Sequence, residues 1–159
     1  MLFIFDLDGT AIDSSHRQNT LPDGSLNLVD WLDNNTPDRI AQDTLLPLGR
    51  QWALGLQHKV AIITARSFQD ADYAFLEKHD LRYDFIYSRK AGDTTPDAQL
   101  KRLALYRLAN DLGKSVRWLA AFATFYDDNL SVLDMASELG IKTVNATTYN
   151  NNQRKGLIR

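Results

Sequence analysis

The sequence predicts an α/β domain: a parallel, Rossmann-like sheet with helices on both faces and no large cap domain. Three observations carry this reading. Five short apolar runs are each bounded by polar or turn residues, as buried strands are. Segments with apolar residues at helical spacing lie between them. The runs are continuously apolar rather than alternating, which marks a sheet covered on both faces and joined by right-handed crossovers.

The first run, residues 2–5, opens the chain as Leu-Phe-Ile-Phe. Residues 14–30 break the alternation of elements. They are polar, carry Asn19, Pro22, Asp23 and Gly24, and read as an excursion or hairpin over one end of the sheet. Residues 37–57 place Ile40, Leu45, Leu46, Leu48, Trp52 and Leu56 at helical spacing, as two helices broken near Pro47 and Gly49. The second strand is 59–63, followed by a helix over 68–79 with Ala71, Phe75 and Leu76 on one face. The third strand is 83–88. A helix over 96–112 follows, with Pro96 suited to its first turn. The fourth strand is 122–126, then a helix over 130–139, and the fifth strand is 141–144. The tail from Asn145 is rich in Asn, Thr and basic residues, and its end is expected to be mobile.

A length of 159 residues fits a single domain over 1–159. Hydrophobic residues at 44% and charged residues at 24% describe an ordinary globular chain, not a disordered or coiled-coil one. No run approaches the roughly 18 apolar residues that a membrane span needs. The N-terminus has no basic region and reads as no signal peptide. The absence of cysteine excludes disulfides, thiolate catalysis and cysteine-based zinc sites, and fits a cytoplasmic protein. A net charge of −2 argues against tight nonspecific binding to nucleic acid.

The sharpest local signal is Asp6-Leu7-Asp8-Gly9-Thr10, directly after the first strand. Ligands of a parallel α/β sheet bind beyond the carboxyl ends of its strands. Asp6 and Asp8 leave that strand two residues apart, and Gly9 permits the tight turn needed to wrap a small ion. Carboxylates this close repel unless a cation neutralises them, and Mg²⁺ does so with oxygen ligands. The fourth strand ends in a second acidic pair, Asp127-Asp128. The second ends in Thr64-Ala65-Arg66, a hydroxyl and backbone turn at a helix start. Lys101, in the helix before the fourth strand, can project a cation toward the same crevice. Acids for a metal, a hydroxyl, an ammonium and a nucleophilic carboxylate are the parts that phosphoryl transfer needs.

With these residues in order, the chain resembles the haloacid dehalogenase superfamily of aspartate-dependent phosphatases over nearly its full length. Asp6–Thr10 matches the first motif, Thr64 the second, Lys101 the third and Asp127-Asp128 the fourth; Ala11 stands where a larger aliphatic residue is common. The resemblance implies that Asp6 attacks phosphorus and that Asp8 protonates the leaving oxygen and then activates water. Thr64 and Lys101 would hold phosphoryl oxygens. Mg²⁺ would take Asp6, the backbone carbonyl of Asp8, and Asp127 or Asp128, with Asp128 favoured for direct contact.

A narrower likeness lies in Ser88-Arg89-Lys90-Ala91-Gly92-Asp93 and the Lys101 that follows, together with Thr64-Ala65-Arg66. It looks like the phosphatase domain of bacteriophage-type polynucleotide kinase-phosphatase, which implies that Arg66 and Arg89 contact substrate phosphates. About 53 residues separate Thr10 from Thr64 and about 36 separate Thr64 from Lys101, too few for a large cap. The expected function is therefore a Mg²⁺-dependent phosphomonoesterase acting on nucleic-acid 3′-phosphate ends. A nucleotide or other small phosphoester is the alternative substrate. A non-catalytic interaction domain that kept the fold is the alternative from another class, and the intact motif set argues against it.

Overall fold

The computed structural model describes residues 1–19 and 21–156. Five strands form one parallel sheet: β1 (Leu2–Phe5), β4 (Lys59–Ile63), β5 (Phe85–Tyr87), β6 (Ala123–Asp127) and β7 (Lys142–Asn145). Their order is β5-β4-β1-β6-β7, so the first strand made is the central one. Two short strands, β2 (Ile12–Asp13) and β3 (Thr44–Leu45), pair antiparallel beside it.

Side chains alternate across the sheet and build a core on each face. Leu2, Ile4, Ala61, Ile63 and Phe125 pack under α5 (Asp97–Asp111), α6 (Val116–Phe122) and α7 (Leu130–Glu138). Phe5, Val60 and Ile62 pack on the other face, under α3 (Pro47–Ala53), α4 (Asp70–Lys78) and α8 (Ala146–Arg154). The chain runs from β1 to β4 and β5 on one side, then returns to β6 and β7 on the other. That reversal opens a crevice beyond the carboxyl ends of β1 and β6.

The expected α/β fold is present, with local differences that have physical causes. The third strand starts at Phe85 because Asp84 turns its carboxylate onto the Val60 amide (2.9 Å) and takes a ladder position with its side chain. Phe122 closes α6, a helix the sequence reading left out, whose start is capped by Ser115 accepting from Trp118 N. Residues 37–57 are divided by β3, leaving α2 (Pro37–Ile40) apart from α3. The excursion includes a backbone-bonded turn, in which Leu21 N donates to the Ser25 carbonyl and Asn27 N to the Asn19 carbonyl, both at 2.7 Å. It extends from β2 to β3 and holds a 3-10 turn (Ser15–Arg17) and α1 (Leu28–Asp33). The tail from Asn145 forms α8. Asn145 accepts from Thr148 N to cap it, and Asn150 anchors it. The mobility expected at the tail's end falls on residues 157–159, outside the described residues. Among the described residues, no helix is long and apolar enough to cross a membrane.

Candidate active site

The loop after β1 is closed by its own backbone. Thr10, Ala11 and Ile12 all donate their amides to the carbonyl of Leu7, at 3.1, 2.9 and 2.9 Å. Gly9 adopts φ +76, the left-handed region where glycine alone is unstrained. A Cβ at Gly9 would also overlap the Asp128 carboxylate, so the loop and the end of β6 approach each other closely. Ala11, the small residue in the motif, is fully buried where Gly49 of α3 crosses the loop. From α8, Asn150 Nδ2 donates to the Thr10 carbonyl (3.0 Å), and its Oδ1 accepts from Leu48 N (2.9 Å).

Asp6 lies at the end of β1, 5% exposed, with both carboxylate oxygens engaged. Thr10 Oγ1 donates to Oδ2 (2.9 Å) and Lys101 Nζ donates to Oδ1 (2.9 Å). Lys101 also donates to Asp127 Oδ2 (2.7 Å) and is itself buried, whereas Lys90 and Lys114 are exposed. Burial works against the lysine's charge, but Asp6 and Asp127 outweigh it and hold the ammonium above its ordinary range.

Oxygens of Asp6, Asp127 and Asp128 lie within 4.8 Å of one another. Three carboxylates and one ammonium leave two negative charges, and the acids register this surplus. Burial and then the Asp6 charge push Asp127 up to about 6, against the pull of Lys101. Asp128 is raised by the same causes, although its outer edge stays in water. A divalent cation fits this donor set: hard oxygen ligands, a matching charge and a loop drawn tight against Asp128.

Thr64 follows β4, the strand beside β1, and is buried. Its Oγ1 accepts from Arg66 N (3.0 Å), which leaves the hydroxyl proton for a ligand oxygen. Asp8 does not share in the acidic cluster. It accepts from Arg66 Nε (3.1 Å), from Arg66 NH2 at very short range, and from Ser14 Oγ (2.7 Å). Burial would raise its pKa, yet the Arg66 guanidinium and these hydrogen bonds outweigh that and hold it below the usual carboxylate range.

The two arginines expected on the substrate are otherwise engaged. Arg66 is 3% exposed, and besides Asp8 it donates to Asp72 Oδ1 (2.6 Å) and Asp43 Oδ2 (3.5 Å). Arg89 donates to the carbonyls of Ala65 (3.0 Å), Asp93 (2.9 Å) and Thr95 (2.8 Å), and to Asp97 Oδ1 (2.8 Å). It therefore ties the loop after β5 to the Thr64–Arg66 turn. Thr10, quoted in the first motif without a role, proves to orient Asp6. Arg17 and Asp43 carried no sequence signal, because each gains its partner from a segment 26 residues away; Ser14 and Asp72 bond to Asp8 and Arg66 only six residues away, but no motif marks them.

Comparison with known proteins follows the same line. The family described as Bacteriophage T5 5'-deoxynucleotidase matches residues 1–156. The 5'-deoxynucleotidase of Escherichia phage T5 is 32% identical over 167 residues, covering 94% of this chain and 68% of the phage protein. Among solved structures, a chain of the Pnkp1/Rnl/Hen1 RNA repair complex aligns with a TM-score of 0.62 at 24% identity, over 90% of this chain and 41% of that one. The present chain thus spans about two fifths of that protein's length. A haloacid dehalogenase-like hydrolase of Streptococcus pneumoniae aligns with a TM-score of 0.58 at 15% identity, over 89% of this chain and 82% of that one. These two likenesses concern the fold.

Proposed function

Since the chain belongs to the Bacteriophage T5 5'-deoxynucleotidase family, we propose that it removes the phosphate of deoxynucleoside 5'-monophosphates in a Mg²⁺-dependent reaction through an aspartyl-phosphate. It is a phosphoric monoester hydrolase of the haloacid dehalogenase-like type. The observation that carries the chemistry is Asp6, held on one oxygen by Lys101 and on the other by Thr10, beside Asp127 and Asp128.

Asp6 is buried and oriented for attack on phosphorus. As the Asp6 oxygen bonds to phosphorus, the bond from phosphorus to the 5'-oxygen breaks, and that oxygen takes a proton from Asp8, which must first draw one from water because Arg66 holds it as the carboxylate. Asp8 then accepts a proton from the water that displaces Asp6 and releases inorganic phosphate. Lys101 offsets the charge of Asp6 and of the transferred group, and the Thr64 hydroxyl donates to a phosphoryl oxygen. Asp6, the Asp8 carbonyl and Asp128 would hold Mg²⁺, with Asp127 anchoring Lys101 and contributing charge. When bound, the ion supplies Lewis-acid neutralisation of the phosphate oxygens.

The nucleotide reading gains over 3′-phosphorylated nucleic-acid ends for a specific reason. The polynucleotide reading depended on Arg66 and Arg89 reaching outward along a chain. Most of their N–H groups are engaged inside the protein instead. The test is phosphate release with Mg²⁺ from deoxynucleoside 5'-monophosphates, ribonucleoside 5'-monophosphates, 3′-phosphorylated oligodeoxynucleotides and p-nitrophenyl phosphate. The highest kcat/KM is expected on deoxynucleotides. A preference for the oligonucleotide end would return the assignment to nucleic acid.

A further inference from the structure

Residues 14–43, between β2 and β3, are fastened to the sheet domain by an ion cluster rather than by apolar packing alone. The two feet of the excursion contribute Arg17 and Asp43, which are 1% and 3% exposed. Arg17 grips Asp43 through Nε to Oδ1 and NH2 to Oδ2, both at 2.9 Å, and its guanidinium lies 4.4 Å over the Trp31 ring. Asp43 Oδ2 also faces Arg66 at 3.5 Å, and Oδ1 lies 2.7 Å from His16 Nε2. Arg66 in turn holds Asp72 and both oxygens of Asp8.

A buried array of this kind is a poor device for stability, because desolvating five charges offsets much of their attraction. What it does supply is a fixed direction. The Arg66 fork is planar and is held on three sides, so it cannot swing away from Asp8 without losing Asp43 and Asp72 as well. Asp8 sits on a loop, and its side chain is 23% exposed. Only Arg66 and Ser14 fix its carboxylate among the described residues.

We propose that Arg17 and Asp43 are positioning residues for Asp8, acting through Arg66, so that the seating of the excursion sets the aim of the proton-transfer carboxylate. This rests on the phosphatase reading above. It makes a distinction that a merely structural role would not. A deoxynucleoside is a poor leaving group and needs a proton, whereas p-nitrophenolate leaves without one.

The experiment compares Asp43→Asn and Arg17→Lys with the unaltered Mg²⁺-loaded enzyme, enzyme in excess, measuring leaving-group release in the first turnover. Both variants are expected to release deoxynucleoside from deoxynucleoside 5'-monophosphate on the order of 10²-fold more slowly, the loss typical of a misplaced general acid. Release of p-nitrophenol from p-nitrophenyl phosphate should change by less than about fivefold, since the attack by Asp6 is intact. Arg17→Lys keeps the charge and most of the volume, so it reports even if Asp43→Asn does not fold. Equal losses on the two substrates, or full deoxynucleoside release by folded Arg17→Lys, would overturn the proposal. An unaltered enzyme that releases neither product would instead remove the phosphatase reading beneath it.

Discussion

Replacing Lys101 with Met keeps the length of the side chain and removes its charge from between two buried acids. The ammonium lies 2.9 Å from Asp6 and 2.7 Å from Asp127, and the residue is 2% exposed. Breaking a buried ion pair by deleting one partner costs about 3–5 kcal/mol, because an uncompensated charge stays behind. Methionine fills most of the space, so little cavity cost is added. In EDTA, Lys101→Met should therefore unfold with about 3–5 kcal/mol less stability, a large part of the 5–15 kcal/mol typical of a domain. At about 2–4 °C per kcal/mol for a chain of this size, the melting temperature should fall by roughly 10 °C. Mg²⁺ should return part of this, about 2.7 kcal/mol at a hundredfold excess over its dissociation constant. The variant carries one more uncompensated negative charge, so its affinity for the ion should not weaken. The assay is thermal unfolding followed by circular dichroism, with and without Mg²⁺. A loss below about 1 kcal/mol in EDTA would refute Lys101 as the charge partner of these acids. A loss that Mg²⁺ does not reduce would refute the shared cation site.

Other perturbations separate chemistry from structure. Asp6→Asn removes the attacking anion and should lower turnover by several orders of magnitude, while its thermal stability in EDTA equals or exceeds that of the unaltered protein. EDTA should abolish phosphate release and Mg²⁺ restore it, whereas Ca²⁺, larger and less demanding in geometry, should inhibit; full activity after exhaustive metal removal would contradict the cation site. Gly9→Ala meets both the left-handed backbone, about 1–2 kcal/mol, and the Asp128 carboxylate, and a Mg²⁺ titration should show weakened binding. Arg89→Ala removes bonds to three carbonyls and Asp97, so activities on a deoxynucleotide and on p-nitrophenyl phosphate should fall by the same factor. A loss confined to the nucleotide would put Arg89 on the substrate after all.

The acidic cluster could be read from the sequence because it needs no knowledge of distant contacts. Asp6 and Asp127 end strands that their apolar runs announce, and the sheet order then makes those strands neighbours. Arginines behave differently. A sequence reveals that Arg66 and Arg89 carry charge, but their direction depends on acceptors at 8, 43, 65, 72, 93, 95 and 97, which only the fold assembles. The helix α8 was hidden for a related reason. Ala-Thr-Thr-Tyr-Asn-Asn-Asn has weak helix propensity, and the Asn145 cap and the Asn150 anchor override it. The excursion was legible as an interruption, while its Arg17–Asp43 clasp joins positions 26 residues apart with no local pattern between them.

The reach of Asn150 back to Thr10 spans 140 residues of chain. At a synthesis rate of roughly 5–20 residues per second, the loop carrying Asp8 would wait about 7–28 seconds for the side chain that braces it. The neighbour β6 on which β1 leans is also made late, and contacts this remote in sequence form slowly. Until β6 is made, a nascent chain would hold Asp6 and Asp8 as ordinary solvated acids, unable to act on phosphate esters. Competence would arrive only when β6 and α8 dock against a strand made well before them.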